Sequence, residues 1–211
     1  MKYKICCCTG HRPNGFLWDY ENKDCAFHKK YLEILEYAIE QAIVRNNFNY
    51  FVSGGAIGAD MDFAETVIRL REKYPHIQLE IAVPCADQDL KWHKSDKKRY
   101  HNILERADRV TILSPYYYRG CMHQRNRYMV DKSDLIIAIW NESQAGGTYT
   151  TLQYAEKRRG KHDKYIDYIL LPNVSRKKVE YTSLLEIERN KEDDFKILLA
   201  KLHLPPCPLK K

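Results

Sequence analysis

Short apolar runs alternate with longer amphipathic stretches along most of the chain. Six runs of strand length, rich in β-branched and aromatic residues, lie at residues 3–8, 49–52, 79–84, 109–113, 135–140 and 165–171. Helical spacing of apolar positions follows at about residues 25–45, 57–71, 100–107, 121–131 and 148–158. This alternation predicts an α/β fold, a Rossmann-like doubly wound and mostly parallel sheet of about six strands with helices on both faces.

The run at residues 135–140 is apolar at every position, which indicates a strand buried on both faces of a parallel sheet. We expect one domain over residues 1–172. The remainder, residues 173–211, is predicted to be a C-terminal helical extension packed on the same domain, with a charged helix over about residues 182–203.

Charge and composition narrow the classes of partner. Lys plus Arg number 35 and Asp plus Glu 28, a formal net charge of +7, and 44% of the 211 residues are hydrophobic. This balance fits one sizeable core and an anionic ligand, and it permits nucleic-acid contact without favouring it. Because the lysines are scattered, a solvated basic surface explains the charge equally well.

Seven cysteines, with no C-x-x-C pair, indicate neither a disulfide framework nor a zinc site, so no metal is expected. The chain opens without a signal peptide and has no apolar run long enough to span a membrane. A cytoplasmic location with no membrane partner is the resulting expectation.

Ligands of doubly wound sheets bind outside the carboxyl ends of the strands, and two glycine turns are predicted there. Gly54, Gly55 and Gly58 precede one helix, and Gly146 and Gly147 precede another. Glycine permits left-handed backbone angles and close approach of a ligand to main-chain amides. A helix N-terminus behind such a turn suits phosphate. A tight turn that binds nothing is an equal alternative for the first turn, and an ordinary loop with a helix cap is the commoner alternative for the second.

Several side chains in the same loops have suitable chemistry. Arg12 and Arg125 are candidates to pair with a phosphate, since a guanidinium donates two parallel hydrogen bonds. Thr148 is expected to cap its helix or to donate to a phosphate. His11 is a candidate acid or base, with a hydrogen-bonding role as the commoner alternative.

Carboxylates and aromatic rings complete the candidates from residue chemistry. Asp60 and Glu65 are catalytic candidates that could activate a water for N-glycosidic cleavage, while Asp60 alone could bind a ribose hydroxyl or stabilise the helix dipole. Trp92 and Trp140 could stack on a base, or simply pack in the core.

Taken together, the motifs resemble the SLOG superfamily, in particular its bacterial YpsA-like branch. The matching segments are T-G-H-R-P at 9–13, S-G-G-A-I-G-A-D at 53–60 with Glu65, Pro84 with Gln88 and Trp92, R-N-R-Y-M-V-D at 125–131, and G-G-T at 146–148 with Tyr154 and Ala155. The resemblance implies a Rossmann-like fold with a pocket for a nucleotide-derived ligand. It also implies relatives among the Lonely-guy phosphoribohydrolases and the DNA-processing protein A family.

The resemblance and the residue chemistry together define one set of candidate ligand-binding residues: Thr9, Gly10, His11, Arg12, Ser53, Gly54, Gly55, Ala56, Gly58, Asp60, Trp92, Arg125, Asn126, Trp140, Gly146, Gly147 and Thr148. One departure bears on activity. Lonely-guy enzymes resemble P-G-G-x-G-T-x-x-E at the second turn, and here no glutamate follows Thr148 at that spacing.

Three functions remain open at this level. The leading hypothesis is cytosolic sensing or sequestering of a nucleotide or nucleotide-derived ligand such as ADP-ribose, with no required cofactor and with a homodimer as a possibility. The alternatives are a nucleotide N-glycosidic hydrolase and a single-stranded DNA-binding protein.

Overall fold

The computed structural model describes residues 3–159 and 165–171, together with two short strands at Ile187–Arg189 and Phe195–Leu198. The strands are β1 Ile5–Gly10, β2 Tyr50–Ser53, β3 Gln78–Val83, β4 Arg109–Ile112, β5 Leu135–Trp140, β6 Tyr165–Leu170, β7 Ile187–Arg189 and β8 Phe195–Leu198. The helices are α1 Ala26–Asn46, α2 Ala59–Leu70, α3 Lys94–Arg106, α4 Cys121–Lys132 and α5 Gly146–Arg159, with a 3-10 turn at Pro13–Gly15.

The described strands form one sheet in the order β4-β3-β2-β1-β5-β6-β8-β7. Every neighbouring pair is parallel except β7 with β8, which is antiparallel. The predicted Rossmann-like α/β fold is therefore confirmed, with two strands added at one edge.

Alternation along the central strands divides the core between the two faces of the sheet. Cys6 and Cys8 of β1 pack into the cluster formed with α1, α2 and α3, whereas Cys7 packs into the cluster formed with α4 and α5. On β5, Ile137 points to the first cluster and Ile136 to the second. Because successive side chains of a strand point to opposite faces, an uninterrupted apolar run is what two helical layers require.

The chain reverses its direction across the sheet at β1. Strands β2, β3 and β4 are added on one side of β1, and β5 is then added on the other side, paired from Cys6↔Leu135 to Gly10↔Ile139. The loops that leave β1 and β5 diverge here, which opens a crevice at their carboxyl ends.

Two predictions of element position need correction. Helix α3 begins at Lys94, well before residue 100, because its polar surface buries only Tyr100 and Ile103 and so carries little apolar periodicity. The predicted helix over residues 182–203 is wrong where β7 and β8 lie, since these segments pair with each other and β8 pairs with β6. The rest of that helix prediction falls outside the described residues, and the boundary at residue 172 stays a prediction.

A segment between β1 and α1 forms part of the core although it has no strand or α-helix. Phe16, Trp18 and Tyr20 are almost completely buried there. The Tyr20 hydroxyl donates to Asp62 Oδ1 at 2.7 Å, and Arg99 Nη2 donates to the same oxygen at 2.7 Å. Burial and the adjacent Asp62 raise the pKa of Tyr20 above its usual value, so its hydroxyl stays protonated and donates. This network attaches the segment to α2 and α3.

Replacement of Arg99 by Met is expected to lower the free energy of unfolding by about 3–5 kcal/mol, because the Asp62 carboxylate is buried and would lose its cationic partner. Arg69→Met is the matched control, since its ion pair with Glu36 is about half exposed and should cost under about 1 kcal/mol. Urea titration measures both. Equal losses in the two variants would contradict the structural role of the Arg99 network.

Candidate functional site

A cavity of about 570 Å³ lies in the crevice at the carboxyl ends of β1 and β5. Its wall is built by the loop after β1, the turn before α2, one face of α4 and the first turn of α5. The volume is in the range of small-ligand sites. The cavity therefore lies where the topology of the sheet predicts a ligand.

Most of the candidate residues come together in this cavity. Those that line it are Thr9, Gly10, His11, Arg12, Ala56, Asp60, Arg125, Asn126, Gly146, Gly147 and Thr148. Those that do not line it are Ser53, Gly54, Gly55, Gly58, Trp92 and Trp140.

The two tryptophans are occupied by packing contacts. Trp92 meets Tyr100 edge-on, with ring centroids 5.1 Å apart, against the core beneath α3. Trp140 stacks on Tyr149 at 6.4 Å and its Nε1 donates to the Ser143 carbonyl at 3.0 Å. Of the two alternatives for these residues, the structure places both in packing arrangements outside the cavity lining.

The buried floor of the cavity is an ion pair. Arg125 Nη1 donates to Asp60 Oδ2 at 3.1 Å, and both side chains are at least nine-tenths buried. Asp60 Oδ2 also accepts from the Ala56 amide at 3.4 Å, and Asp60 Oδ1 faces the Cys8 thiol at 3.7 Å. The carboxylate thus orients the guanidinium from below.

Gly54 makes room for this pair. A Cβ built on Gly54 would lie 1.2 Å from Arg125 Nη1 and 2.5 Å from Asp60 Oδ2. Since real non-bonded contacts are never this short, any other residue at position 54 would displace the guanidinium. Gly54 is therefore required because the Arg125 guanidinium occupies the space that a side chain would fill. Gly55 and Gly58 have a different role, since they supply the positive φ angles of the turn, +62° and +105°.

The first glycine turn offers fewer open amides than a phosphate cradle would. The Gly55 amide donates to Ser53 Oγ at 3.2 Å, and the Ala59 amide donates to the His11 carbonyl at 3.1 Å. With the Ala56 amide directed at Asp60, three donors of this turn already have acceptors within the protein. This part of the chain therefore contributes Asp60, the partner of Arg125, to the cavity instead of a row of free N–H groups.

Arg125 retains hydrogen-bonding capacity after pairing with Asp60. Its Nε is buried and has no hydrogen-bond partner among the described residues. A buried charged donor without an acceptor costs free energy, and a native structure usually satisfies it with water, an ion or a ligand. Arg125 therefore lines the cavity and keeps one buried donor unsatisfied within the described part of the chain.

The second glycine turn is open on its cavity side. A Cβ built on Gly146 or Gly147 would meet nothing within 4 Å, and both residues line the cavity. The first amides of a helix have no intrahelical acceptor and carry the positive end of the helix dipole. The Thr148 hydroxyl donates to the Gly10 carbonyl at 2.9 Å, so it joins α5 to β1, and its single proton is not free for a phosphate.

His11 joins the loops that follow β1 and β5. Its Nε2 accepts from the Asn141 amide at 3.2 Å, which assigns the ring proton to Nδ1. Burial lowers the pKa of His11, which favours the neutral ring that accepts this hydrogen bond. This arrangement matches the hydrogen-bonding alternative for His11.

The two catalytic candidates lie in different places. Asp60 lines the cavity, whereas Glu65 accepts two hydrogen bonds from Arg99, at 2.8 and 2.6 Å, and does not line it. Across residues 3–159 and 165–171 there is no group of three or more His, Cys, Asp or Glu that could hold a metal ion. No described helix is long and apolar enough to cross a membrane.

Some lining residues were absent from the sequence-based set, chiefly Met122, His123, Asn141 and Thr151. Asn141 directly follows β5, so its position at a strand end was a usable signal. The sequence carries no comparable signal for Met122 and His123, because they reach the cavity only through the packing of α4 beside α5. Thr151 accepts from Asn126 Nδ2 at 2.7 Å, which fixes the amide group at the rim.

These features define the class: a Rossmann-like α/β protein with a polar cavity at the switch point of its sheet. The chain belongs to the YspA SLOG family, whose model matches residues 6–174. The resemblance inferred from the motifs is thereby confirmed at the level of the family.

Individual relatives come from Bacillus and related bacteria. The chain is 30% identical over 162 residues to a UPF0398 protein of Halalkalibacterium halodurans, covering 74% of this chain and 82% of that one. It is 36% identical over 131 residues to the uncharacterized SPbeta prophage-derived protein YoqJ of Bacillus subtilis, covering 56% and 76% of the two chains. A UPF0398 protein of Bacillus cereus is 26% identical over 176 residues, 80% of this chain and 90% of the relative.

Gly54→Ala is expected to destabilise the protein by about 3 kcal/mol, because the added Cβ overlaps the buried Arg125 guanidinium. Gly147→Ala is the control, since its Cβ meets no atom and reduced unfolded-state entropy should make it neutral or slightly stabilising. Thermal and urea unfolding compare the two. Retention of full stability by Gly54→Ala would show that Arg125 does not occupy this space.

Proposed function

We propose that this protein binds a nucleotide or nucleotide-derived ligand in the cytoplasm and senses or sequesters it. Membership of the SLOG family supports a nucleotide-related role. The ligand's phosphate would accept from Arg125 and from the first amides of α5, with Arg12 closing over it from the loop after β1.

The unpartnered Nε of Arg125 is the observation that carries this proposal. Arg125 is 5% exposed, lines the cavity and forms one ion pair among the residues described, with Asp60. An anion in the cavity would give this donor an acceptor in a site screened from solvent, where charge-assisted hydrogen bonds are strong. The open N-terminus of α5 supplies a second attraction for the same charge.

The rest of the cavity suits the other parts of a nucleotide. Met122, Met129 and Ile57 give it apolar surface against which a base could pack. Asn126 and Asn141 bring amide groups that can hydrogen-bond a ribose or a base edge.

Hydrolysis of an N-glycosidic bond is the second candidate, because one carboxylate, Asp60, does line the cavity. Its oxygens already face Arg125, the Ala56 amide and the Cys8 thiol, which leaves limited capacity to activate a water. Glu65 is engaged by Arg99 outside the lining. These contacts favour binding over cleavage.

Isothermal titration calorimetry with AMP, ADP-ribose, NAD and cyclic nucleotides tests the proposal. At least one should bind, and Arg12→Ala should weaken it about tenfold or more, because one charge-assisted hydrogen bond contributes about 1.5–3 kcal/mol. Arg12 is exposed and lines the cavity, so its removal should leave folding intact. Arg45→Ala, an exposed arginine at the end of α1, is the charge-matched control.

Absence of heat with every nucleotide, or equal effects of the two arginine variants, would count against the proposal. Chromatography of the bound nucleotide after prolonged incubation separates the two candidate functions. Intact ligand fits a binding protein, and release of a free base would establish the hydrolase.

A further inference from the structure

A second depression, of about 480 Å³, lies on the outer side of helices α4 and α5. It adjoins the cavity, because His123, Asn126 and Thr151 line both spaces. A ligand that extends from the cavity into this depression would pass over these three residues, where Asn126 Nδ2 donates to Thr151 Oγ1 at 2.7 Å. We call this depression the α4–α5 groove.

Helical spacing explains why the two spaces meet along one row of residues. On α4, Arg125 and Met129 face the cavity, whereas Gln124 and Arg127 face the groove, and Asn126 lies between them. On α5, the groove is lined by Thr150, Tyr154 and Lys157, which follow one another at intervals of about one helical turn, and by Gln153 beside Tyr154. Residues three and four apart share a helix face, so each helix presents one stripe to each space.

The groove is basic. Arg127 and Lys157 line it and are exposed, and no carboxylate does. Among the described residues neither cation forms an ion pair, whereas Arg158 nearby is paired with Asp131 at 3.0 Å. Arg127 lies over the Tyr154 ring, with Cζ 5.4 Å from its centroid, which steadies the guanidinium and leaves its charge unneutralised.

We propose that the α4–α5 groove binds a second anionic group of the same ligand, so that the ligand is a linear nucleotide derivative with two phosphates and not a mononucleotide. The inference rests on the proposed function of the cavity. One phosphate lies at Arg125 and the N-terminus of α5, and the chain of the ligand passes His123 and Asn126 to a second phosphate held by Arg127 and Lys157. From Gly120 to Arg127 the groove follows α4 for about 10 Å, a length that a second nucleotide unit can occupy.

The test compares AMP with a linear diadenylate that carries a 5′ phosphate, both titrated calorimetrically into the 211-residue protein. The diadenylate should bind at least about tenfold more tightly, because its second phosphate gains charge-assisted hydrogen bonds. The double variant Arg127→Gln/Lys157→Gln should remove this advantage and leave the affinity for AMP unchanged. Arg45→Gln/Lys94→Gln removes an exposed arginine and an exposed lysine elsewhere and should alter neither affinity.

The remaining outcomes of the titrations contradict either the groove site alone, both sites, or the assignment of a small ligand. Equal binding of the two ligands, or an equal loss in both double variants, overturns the groove site and leaves the cavity site standing. No binding of either ligand overturns both. A twelve-nucleotide oligodeoxythymidylate that binds far more tightly than the diadenylate, with a steep dependence on salt, would identify the groove as part of a nucleic-acid path and overturn the small-ligand assignment.

Discussion

The buried ion pair between Asp60 and Arg125 is the constraint on which the cavity depends. It joins the first turn of α2 to the middle of α4, and so connects helices on opposite faces of the sheet around the end of β1. Two charges removed from water are costly unless their remaining hydrogen bonds are made. Asp60 meets this condition through Ala56 and Cys8, whereas Arg125 keeps a donor unsatisfied. The ion pair therefore forms the buried floor of the cavity, and Arg125 Nε within it still lacks a hydrogen-bond acceptor in the part of the chain that the structure describes.

The topology of the sheet explains why a cavity lies beside this ion pair. The chain leaves β1 toward one edge and returns beside it as β5, so the loops after these strands separate. Contacts across the gap hold its width. His11 accepts from the Asn141 amide, Thr148 donates to the Gly10 carbonyl, and Asn141 Nδ2 donates to the Gly15 carbonyl at 2.9 Å. Hydrogen bonds from polar side chains thus connect the two sides of the rim, while the centre of the cavity stays open for a ligand.

The sequence predicted the layered fold because its signals are local: an apolar run such as residues 135–140 and the glycine turns before two helices. Eleven of the candidate binding residues also line the cavity, since strand ends of a parallel sheet converge. The reason for Gly54 could not be predicted, because the atom that requires the space belongs to Arg125, on a different helix. The strands β7 and β8 were missed for a related reason, since the pairing of β8 with β6 and of β7 with β8 outweighed the local charged pattern. Tertiary contacts also account for Trp92 and Trp140, whose rings found packing partners that no local pattern reveals.

The most direct test of the central claim is the side-chain ¹⁵N–¹H resonance of Arg125 Nε, assigned by comparison with Arg125→Lys and followed by NMR during titration with the nucleotide that binds most tightly. The account predicts that this resonance moves downfield and that its proton exchanges more slowly with solvent as the ligand saturates the protein, because the orphan donor gains an acceptor. A saturated complex in which the Arg125 Nε resonance and its exchange rate are unchanged would contradict the account.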